Sequence, residues 1–311
     1  MDKKLIVRIS PHLFSGNRTQ RIMLDVIIAL VPTLAAACFL FGMRALLITV
    51  VSVVSCVVFE YLTRKVMKKE QSIQDLSAVI TGILLAFCVP VGLPLYMVVL
   101  GAFVAIVIVK QMFGGLGQNF VNPAMAARIV LVISFAVPMT TWAAQGMPSS
   151  MVDIVSGATP LVLMKNGQVV PSAMDLLFGR HGGCMGETCA LTLLLGGIYL
   201  RVRKVITLKI PVAYIATVAI CALLARQSPL VHVLSGGMLL GAIFMATDYT
   251  TSPCTELGKI IFGIGCGLVT MAIRLFGMFP EGVSFAVVFM NLWTPHIERW
   301  TRTKVFGEVK A

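Results

Sequence analysis

The sequence predicts an all-α integral membrane protein with about ten transmembrane helices. Of its 311 residues, 58% are hydrophobic and only 12% are charged, which is about half the charged fraction of an average soluble domain. The apolar residues fall in runs that approach the roughly 20 residues a helix needs to cross hydrocarbon. Basic residues cluster between those runs, which is typical of the loops that connect transmembrane helices. We therefore expect the lipid bilayer, and no nucleic acid, as the partner of this basic chain.

Ten apolar segments are predicted to span the membrane. They lie near residues 22–41, 45–62, 77–90, 94–110, 123–141, 187–200, 208–225, 230–247, 258–274 and 281–296. An even number of spans places both termini on the same side. Of the 25 Lys and Arg residues, 20 then share the side of the termini, so the positive-inside rule predicts that both termini are cytoplasmic.

The spans divide the chain into two halves around one long loop. The parts are a cytoplasmic N-terminal segment, a first five-helix half, an extracytoplasmic loop, a second five-helix half and a cytoplasmic tail, at residues 1–21, 22–141, 142–186, 187–296 and 297–311. A weak internal match relates residues 81–86 to residues 236–241. Five spans per half predict two inverted repeats, an architecture that places binding sites at the repeat interface.

The long loop contains the most informative segment, Asp-Ile-Val-Ser-Gly-Ala-Thr-Pro-Leu at 153–161. By its residues alone it is a polar turn that presents the Thr159 hydroxyl just before a proline. The pattern Asp-x-x-Ser-Gly-Ala-Thr also matches the acceptor motif of flavin transferases, which attach FMN to the threonine hydroxyl through a phosphoester. The motif residues are Asp153, Ser156, Gly157, Ala158 and Thr159.

Other motifs extend along the whole chain. They are Ser-Pro-His at 10–12, Gly-Gly-Leu-Gly-Gln-Asn-Phe-Val-Asn-Pro at 114–123, Ala-Thr-Asp-Tyr-Thr-Thr-Ser-Pro at 246–253 and Asn-Leu-Trp-Thr-Pro at 291–295. With these motifs and the acceptor segment, the chain resembles the family of the D subunit of the Rnf electron-transport complex. More distantly, it resembles the B subunit of the sodium-translocating NADH:quinone reductase.

This resemblance implies a redox subunit that is not catalytic alone. It implies covalent FMN on Thr159, at the outer face of a bacterial or archaeal cytoplasmic membrane. For the complex it implies reduced ferredoxin as electron donor, NAD⁺ as acceptor and export of Na⁺ or H⁺ as the coupled work. The implied partners are an FMN transferase and the other membrane and peripheral subunits, including a second covalent flavoprotein subunit and iron–sulfur subunits.

The segment 114–123 lies between the fourth and fifth predicted spans. Its glycines and its Asn-Pro pair are equally typical of a tight turn. Asn119 and Asn122 are three residues apart and could both present amides to a flavin ring. Equivalent asparagines line a non-covalent riboflavin site in the related quinone reductase, so the resemblance implies riboflavin as a second flavin here.

Acidic residues at a membrane edge are costly, so each is a functional candidate. Asp25 and Glu60 are expected to pair with Arg21 or Arg64 at the interface. Asp248 is the candidate cation site, because hard oxygen donors suit small cations and the polar edge of a flavin. Its hydroxyl neighbours are Thr247, Thr250, Thr251 and Ser252. A loop cap is the equally favoured interpretation of this cluster.

A transporter or channel without redox chemistry is the competing function. Ten spans and an inverted repeat suit it equally well, because fold alone does not decide function. The acceptor motif discriminates, since a transporter would carry an unmodified Thr159. The eight cysteines include no CxxC pair, so we predict no zinc or iron–sulfur site within the chain.

Overall fold

The computed structural model describes residues 19–142, 159–187, 189–277 and 281–302. All regular secondary structure in these ranges is helical. The α-helices, numbered α1 to α14 in chain order, are Thr19–Phe41, Met43–Val66, Ser77–Phe87, Leu95–Phe103, Pro123–Ser134, Ala136–Thr140, Pro160–Lys165, Ala173–Phe178, Ala190–Val202, Lys209–Leu224, Pro229–Leu234, Met238–Leu240, Glu256–Phe276 and Val283–Thr301. A 3₁₀ turn, Ile73–Asp75, precedes α3, and α4 and α12 continue as the π-helices Val104–Gln111 and Gly241–Met245.

Three helices, α1, α2 and α13, are long and apolar enough to cross a membrane. Five shorter apolar helices accompany them: α3, α4 with its π-helical extension, α5, α9 and α10. Large apolar side chains such as Phe39 on α1 and Leu224 on α10 point outward and remain exposed. An apolar surface of this extent needs lipid or protein cover, so the chain is a membrane protein.

Two predicted single-helix spans are broken, and those predictions were wrong. The span expected at 230–247 is interrupted between α11 and α12, where Gly236 and Gly237 have φ angles of 70° and 65°. Glycine enters this left-handed region without steric cost. The span expected at 123–141 is interrupted at Phe135, between α5 and α6. A broken helix leaves backbone groups that neighbouring elements must satisfy.

The helices of the two halves pack against one another in corresponding ways. In the first half α2 packs against α3 and α4, and in the second half α10 packs against α11 and α13. The halves meet where α1 packs on α9 and α5 packs on α14. Left-handed residues occur at corresponding places: Lys68 and Leu76 between α2 and α3, and Arg226 and Gly237 between α10 and α12.

The described part of the predicted loop 142–186 contains α7 and α8. Helix α7 packs against α11, while α8 packs against α9 and α11. Leu161 on α7 and Leu176 on α8 are buried. This end of the loop is therefore packed onto the second half of the bundle, which positions helix α7 beside the helix break.

Several charged residues have partners that differ from those expected. Asp25 pairs with Arg203 at 3.2 Å instead of Arg21. Glu60 does approach Arg64, at 3.9 Å, but its closer cation is Lys110 at 2.8 Å. Lys110 and Arg128, two of the 20 basic residues counted on the side of the termini, are only 1% and 5% exposed. Both are neutralised by acidic side chains from distant parts of the chain, so neither is a solvated topology signal.

Candidate functional site

Thr159 begins helix α7. Its Oγ1 accepts a hydrogen bond from the Val162 backbone N–H at 3.4 Å, and Pro160 occupies the first helical position. A threonine cap followed by proline is a strong helix start. The Thr159 side chain is buried at 2% exposure. The remaining residues of the predicted acceptor motif lie outside the described residues: Asp153, Ser156, Gly157 and Ala158.

A polar cavity of about 470 Å³, counting its opening, lies beside α7. We call it the His232 cavity. Its described lining comes from α7, α11, α13 and the turn after α10: Leu161, Met164, Lys165, Gln227, His232, Arg274 and Leu275. The charged members of this lining, Lys165 and Arg274, are both basic.

Arg274 holds the break between α11 and α12. Its Nη1 donates to the His232 carbonyl oxygen at 2.6 Å, and its Nη2 donates to those of Ser235 and Gly236 at 3.1 and 3.3 Å. A cation at the C-terminal end of a helix is favourable. Within the described ranges, no carboxylate forms an ion pair with Arg274, and its Nε has no partner.

Arg128 lies on the other side of the same break, between two carboxylates. It forms ion pairs with Glu281 and, at 3.4 Å, with Glu187, and it donates to the Cys184 sulfur at 3.4 Å. A Cβ at Gly237 would lie 3.0 Å from Glu187 Oε1. The Cys184, Glu187 and Glu281 ligand atoms lie within 4.8 Å of one another, but Arg128 already binds all three groups. The cluster therefore supports the broken helix through paired buried charge.

A second cavity lies where the two halves meet and encloses about 850 Å³, counting its opening. We call it the Asn119 cavity. Most of its lining is apolar, and its polar members are Ser77, Thr81, Lys110, Asn119, Asn122, Thr247, Asp248, Tyr249 and Thr250. The structure thus brings Asn119, Asn122 and Asp248 together.

The two asparagines of this cavity have different roles. Asn122 Oδ1 accepts from the backbone N–H groups of Ala124 and Met125 at 3.1 and 3.2 Å and so caps α5. Its Nδ2 donates to the Met245 carbonyl oxygen at 3.5 Å. Asn119 is 8% exposed, and its Oδ1 has no partner. A buried acceptor without a donor is rare, so Asn119 is the asparagine that is available to a ligand N–H.

Lys110 and Asp248 are the charged residues that line the Asn119 cavity. Lys110 Nζ donates to Glu60 Oε2 at 2.8 Å and to Ser77 Oγ at 2.7 Å, so its charge is balanced. Asp248 accepts from the backbone N–H and the hydroxyl of Thr250 at 3.4 and 3.2 Å. Burial raises the pKa of the Asp248 carboxyl above its ordinary value. These bonds are those of a loop cap, and a cation at Asp248 stays a prediction.

Comparison with known proteins identifies the family of this chain. The model of the NQR2, RnfD, RnfE family matches residues 6–307. The chain belongs to this family. The resemblance to the D subunit of the Rnf complex, expected from the motifs, is therefore confirmed.

Relatives of this family member are similar along almost their whole length. The chain is 49% identical to the D subunit of the Na(+)-translocating ferredoxin:NAD(+) oxidoreductase complex of Acetobacterium woodii, over 98% of this chain and 96% of that protein. It is 41% identical to the D subunit of the proton-translocating ferredoxin:NAD(+) oxidoreductase complex of Clostridium ljungdahlii, over 96% and 95%. It is 38% identical to the D subunit of the ion-translocating oxidoreductase complex of Stutzerimonas stutzeri, over 94% and 93%.

Sequence reasoning missed two residues that the structure places in one cavity with residues of α7 in this member of the family. Neither Arg274 nor His232 was singled out from the sequence. The signal available for Arg274 was a lone arginine at the end of an apolar run. No sequence signal pairs it with Gly236 and Gly237, which lie far away along the chain.

Proposed function

We propose that the chain is the membrane redox subunit of an ion-translocating ferredoxin:NAD⁺ oxidoreductase complex. The observation that carries this proposal is the end-to-end similarity to relatives that are named as the D subunit of such complexes. The chain forms ten spans in two inverted five-helix repeats, with both termini cytoplasmic. The repeat is supported by corresponding contacts in the two halves, where α2 packs against α4 and α10 packs against α13.

Thr159 carries FMN through a phosphoester at the outer face of the membrane. FMN supplies one- and two-electron transfer, which protein side chains of this chain do not supply. The residues fit such a group, because the His232 cavity, which is lined in part by α7, contains two buried nitrogens without partners, His232 Nδ1 and Arg274 Nε. An FMN transferase modifies the Thr159 hydroxyl, which stands at the defined start of α7.

The Asn119 cavity holds the second flavin, riboflavin, without a covalent bond. Its apolar walls exclude water from both faces of a flat ring. The orphaned Asn119 Oδ1 accepts a ring N–H, while Asn122 keeps the wall in place as the cap of α5. Asp248, at the edge of the same cavity, binds the transported cation, Na⁺ or H⁺, close to the ring.

The remaining steps belong to other subunits. The chain has no CxxC pair and no nicotinamide-binding Gly-x-Gly-x-x-Gly motif. Iron–sulfur subunits, a second covalent flavoprotein subunit and further membrane and peripheral subunits therefore complete the electron path between ferredoxin and NAD⁺. The contribution of this chain is to hold two flavins on opposite sides of one helical bundle.

The test is the intact mass and in-gel flavin fluorescence of the denatured chain, expressed in a host that flavinylates other proteins. We expect one FMN phosphoester adduct in the wild type and none in Thr159→Asn. Asparagine keeps a helix-capping oxygen but offers no hydroxyl. An unmodified wild-type chain would contradict the proposal and favour the transporter without a redox cofactor.

A further inference from the structure

We propose that Arg274 and Lys165 bind the phosphodiester that joins FMN to Thr159, and that His232 binds the ribityl chain. The proposal rests on the attachment of FMN proposed above. A phosphate esterified to both Thr159 and the ribityl group keeps one negative charge. The His232 cavity is the part of the described structure that can receive this charge beside α7.

The first argument is charge balance. Arg274 is 5% exposed, and a buried charge is costly unless it is paired. Its described partners are backbone carbonyl groups, and Lys165 adds a second cation at the opening of the cavity. No acidic residue is among the described lining residues. Glu187 and Glu281 act on Arg274 through space but are paired directly with Arg128, so an anion inside the cavity would be the direct partner of Arg274 and Lys165.

The second argument is the set of unused polar atoms. Arg274 Nε is a buried donor without a partner, and guanidinium groups bind phosphate oxygens through several N–H groups at once. His232 Nε2 lies 2.7 Å from Gln227 Oε1, and the tautomer that satisfies this contact carries its proton on Nε2. The neutral ring then leaves Nδ1 as an acceptor, and that atom has no partner. Ribityl hydroxyls are donors of the required kind.

The third argument is position. Helix α7 contributes Leu161, Met164 and Lys165 to the cavity, and Thr159 caps this helix. Leu161 and Arg274 supply the nearest atoms to the point where a Cβ of Gly236 would lie. The Leu161 side chain, in the first turn of α7, therefore lies close to the Arg274 guanidinium.

An adjoining groove offers space for the flavin ring. This groove encloses about 870 Å³, counting its opening, and shares Met164 and Gln227 with the His232 cavity. Apolar side chains make up most of its remaining lining: Val170, Pro171, Ala173, Leu176, Leu230 and Val231, beside Arg226 and Ser228. A polar compartment for the phosphodiester next to an apolar compartment for the ring matches the two ends of FMN.

A purely structural role for Arg274 is the competing explanation. Capping the carbonyl groups that end α11 uses Nη1 and Nη2. It does not use Nε or His232 Nδ1, and it does not explain a cavity lined by cations. The two explanations differ in whether the flavin and free phosphate respond to Arg274.

The first experiment measures fluorescence anisotropy of the covalent FMN in the purified full-length protein, with Thr159→Asn as the blank. We expect Arg274→Gln to keep the FMN mass adduct but to lose most of the anisotropy, because the flavin becomes a freely rotating tether. Arg274→Lys should retain part of the wild-type anisotropy. The matched control is Arg44→Gln, since Arg44 also donates to a backbone carbonyl, that of Gly92 at 3.3 Å, but does not line the cavity.

The second experiment needs no FMN. Inorganic phosphate should raise the unfolding temperature of Thr159→Asn, because a ligand that binds only the folded state stabilises it. Chloride at equal ionic strength should not do so, and neither should phosphate added to the flavinylated wild type. Lys165→Gln in the Thr159→Asn background should weaken the phosphate effect, which keeps the test valid if Arg274 variants do not fold.

Wild-type anisotropy in a flavinylated Arg274→Gln chain would overturn the proposal. An absence of any phosphate effect on Thr159→Asn would overturn it as well. A wild-type chain without the FMN adduct would instead remove the proposed function, and the phosphate result would still report on the cavity itself.

Discussion

The Asn119 cavity and the His232 cavity are built in similar ways but balance their charge differently. Each has a basic residue from the C-terminal end of a helix, Lys110 or Arg274, next to a helix that follows a left-handed residue. Lys110 has a carboxylate partner, Glu60, at 2.8 Å. Arg274 has only backbone carbonyl partners within the described ranges.

This difference indicates which ligand each cavity suits. At the Asn119 cavity the buried cation is already neutralised. The orphaned amide oxygen there suits the proposed uncharged flavin, because binding it would desolvate no further charge. At the His232 cavity the buried cation has no directly bound carboxylate, and the proposed phosphodiester on Thr159 would supply an anion there. The proposed riboflavin site and the proposed site of covalent FMN therefore differ in how their basic residue is paired.

The largest expected effect comes from breaking the Lys110–Glu60 pair. Lys110→Met leaves the buried Glu60 with Arg64, 3.9 Å away, as its remaining cation, so we expect a loss of about 3 kcal/mol in the free energy of unfolding. Denaturant titration of the purified chain in detergent measures it. Glu60→Gln combined with Lys110→Met should recover most of the loss. Equal additive losses from the two substitutions would show that the charges do not balance each other.

The two asparagines of the Asn119 cavity provide the next test. Asn119→Ala removes the free acceptor, so riboflavin affinity, measured by equilibrium dialysis, should fall about tenfold. Asn122→Ala removes the α5 cap, so the main expected result is a loss of about 1 kcal/mol in unfolding free energy. Unchanged riboflavin binding in Asn119→Ala would show that the second flavin does not bind in this cavity.

The Asn119 cavity contains an acidic residue, Asp248, whereas the described lining of the His232 cavity contains none. Asp248→Asn should raise the Na⁺ concentration for half-maximal transport about fivefold, which corresponds to ~1 kcal/mol, while bound flavin is kept. Because burial raises the pKa of Asp248, the protonated form persists to higher pH than for an exposed aspartate. Lys110, which faces the same cavity, stays paired with Glu60.

The sign of the pH dependence follows from the competition between protons and Na⁺. In the wild type, the Na⁺ requirement should increase as pH falls through the raised pKa of Asp248. The requirement should be independent of pH over that range in Asp248→Asn. ²²Na⁺ uptake by the reconstituted complex measures both effects. Wild-type transport by Asp248→Asn at every pH would remove the cation role and leave the loop cap.

The smallest effect concerns the capping function of Thr159. Thr159→Ala and Thr159→Asn should both lack FMN, but only the alanine variant loses the cap of α7. We expect Thr159→Ala to be less stable than Thr159→Asn by about 0.5–1 kcal/mol. Thermal unfolding of the two variants measures the difference. Equal stability would show that the bond between Thr159 and Val162 contributes nothing.

The sequence determined those features that depend on composition and local order. Long apolar runs with few charges predict membrane helices wherever they occur. A capping side chain followed by proline predicts a helix start, and both Asn122-Pro123 and Thr159-Pro160 are such starts. The motifs predicted the family, and the match over residues 6–307 confirmed it.

Only the tertiary structure decided which charges are paired and which atoms are left without partners. Lys110 lies 50 residues from Glu60, and Arg274 lies 38 residues from Gly236, so no local pattern connects them. Asn119 and Asn122 look alike in sequence, yet one amide caps a helix and the other has a free acceptor. Ion pairing and burial depend on distances across the bundle, and those distances exist only once the helices have packed together.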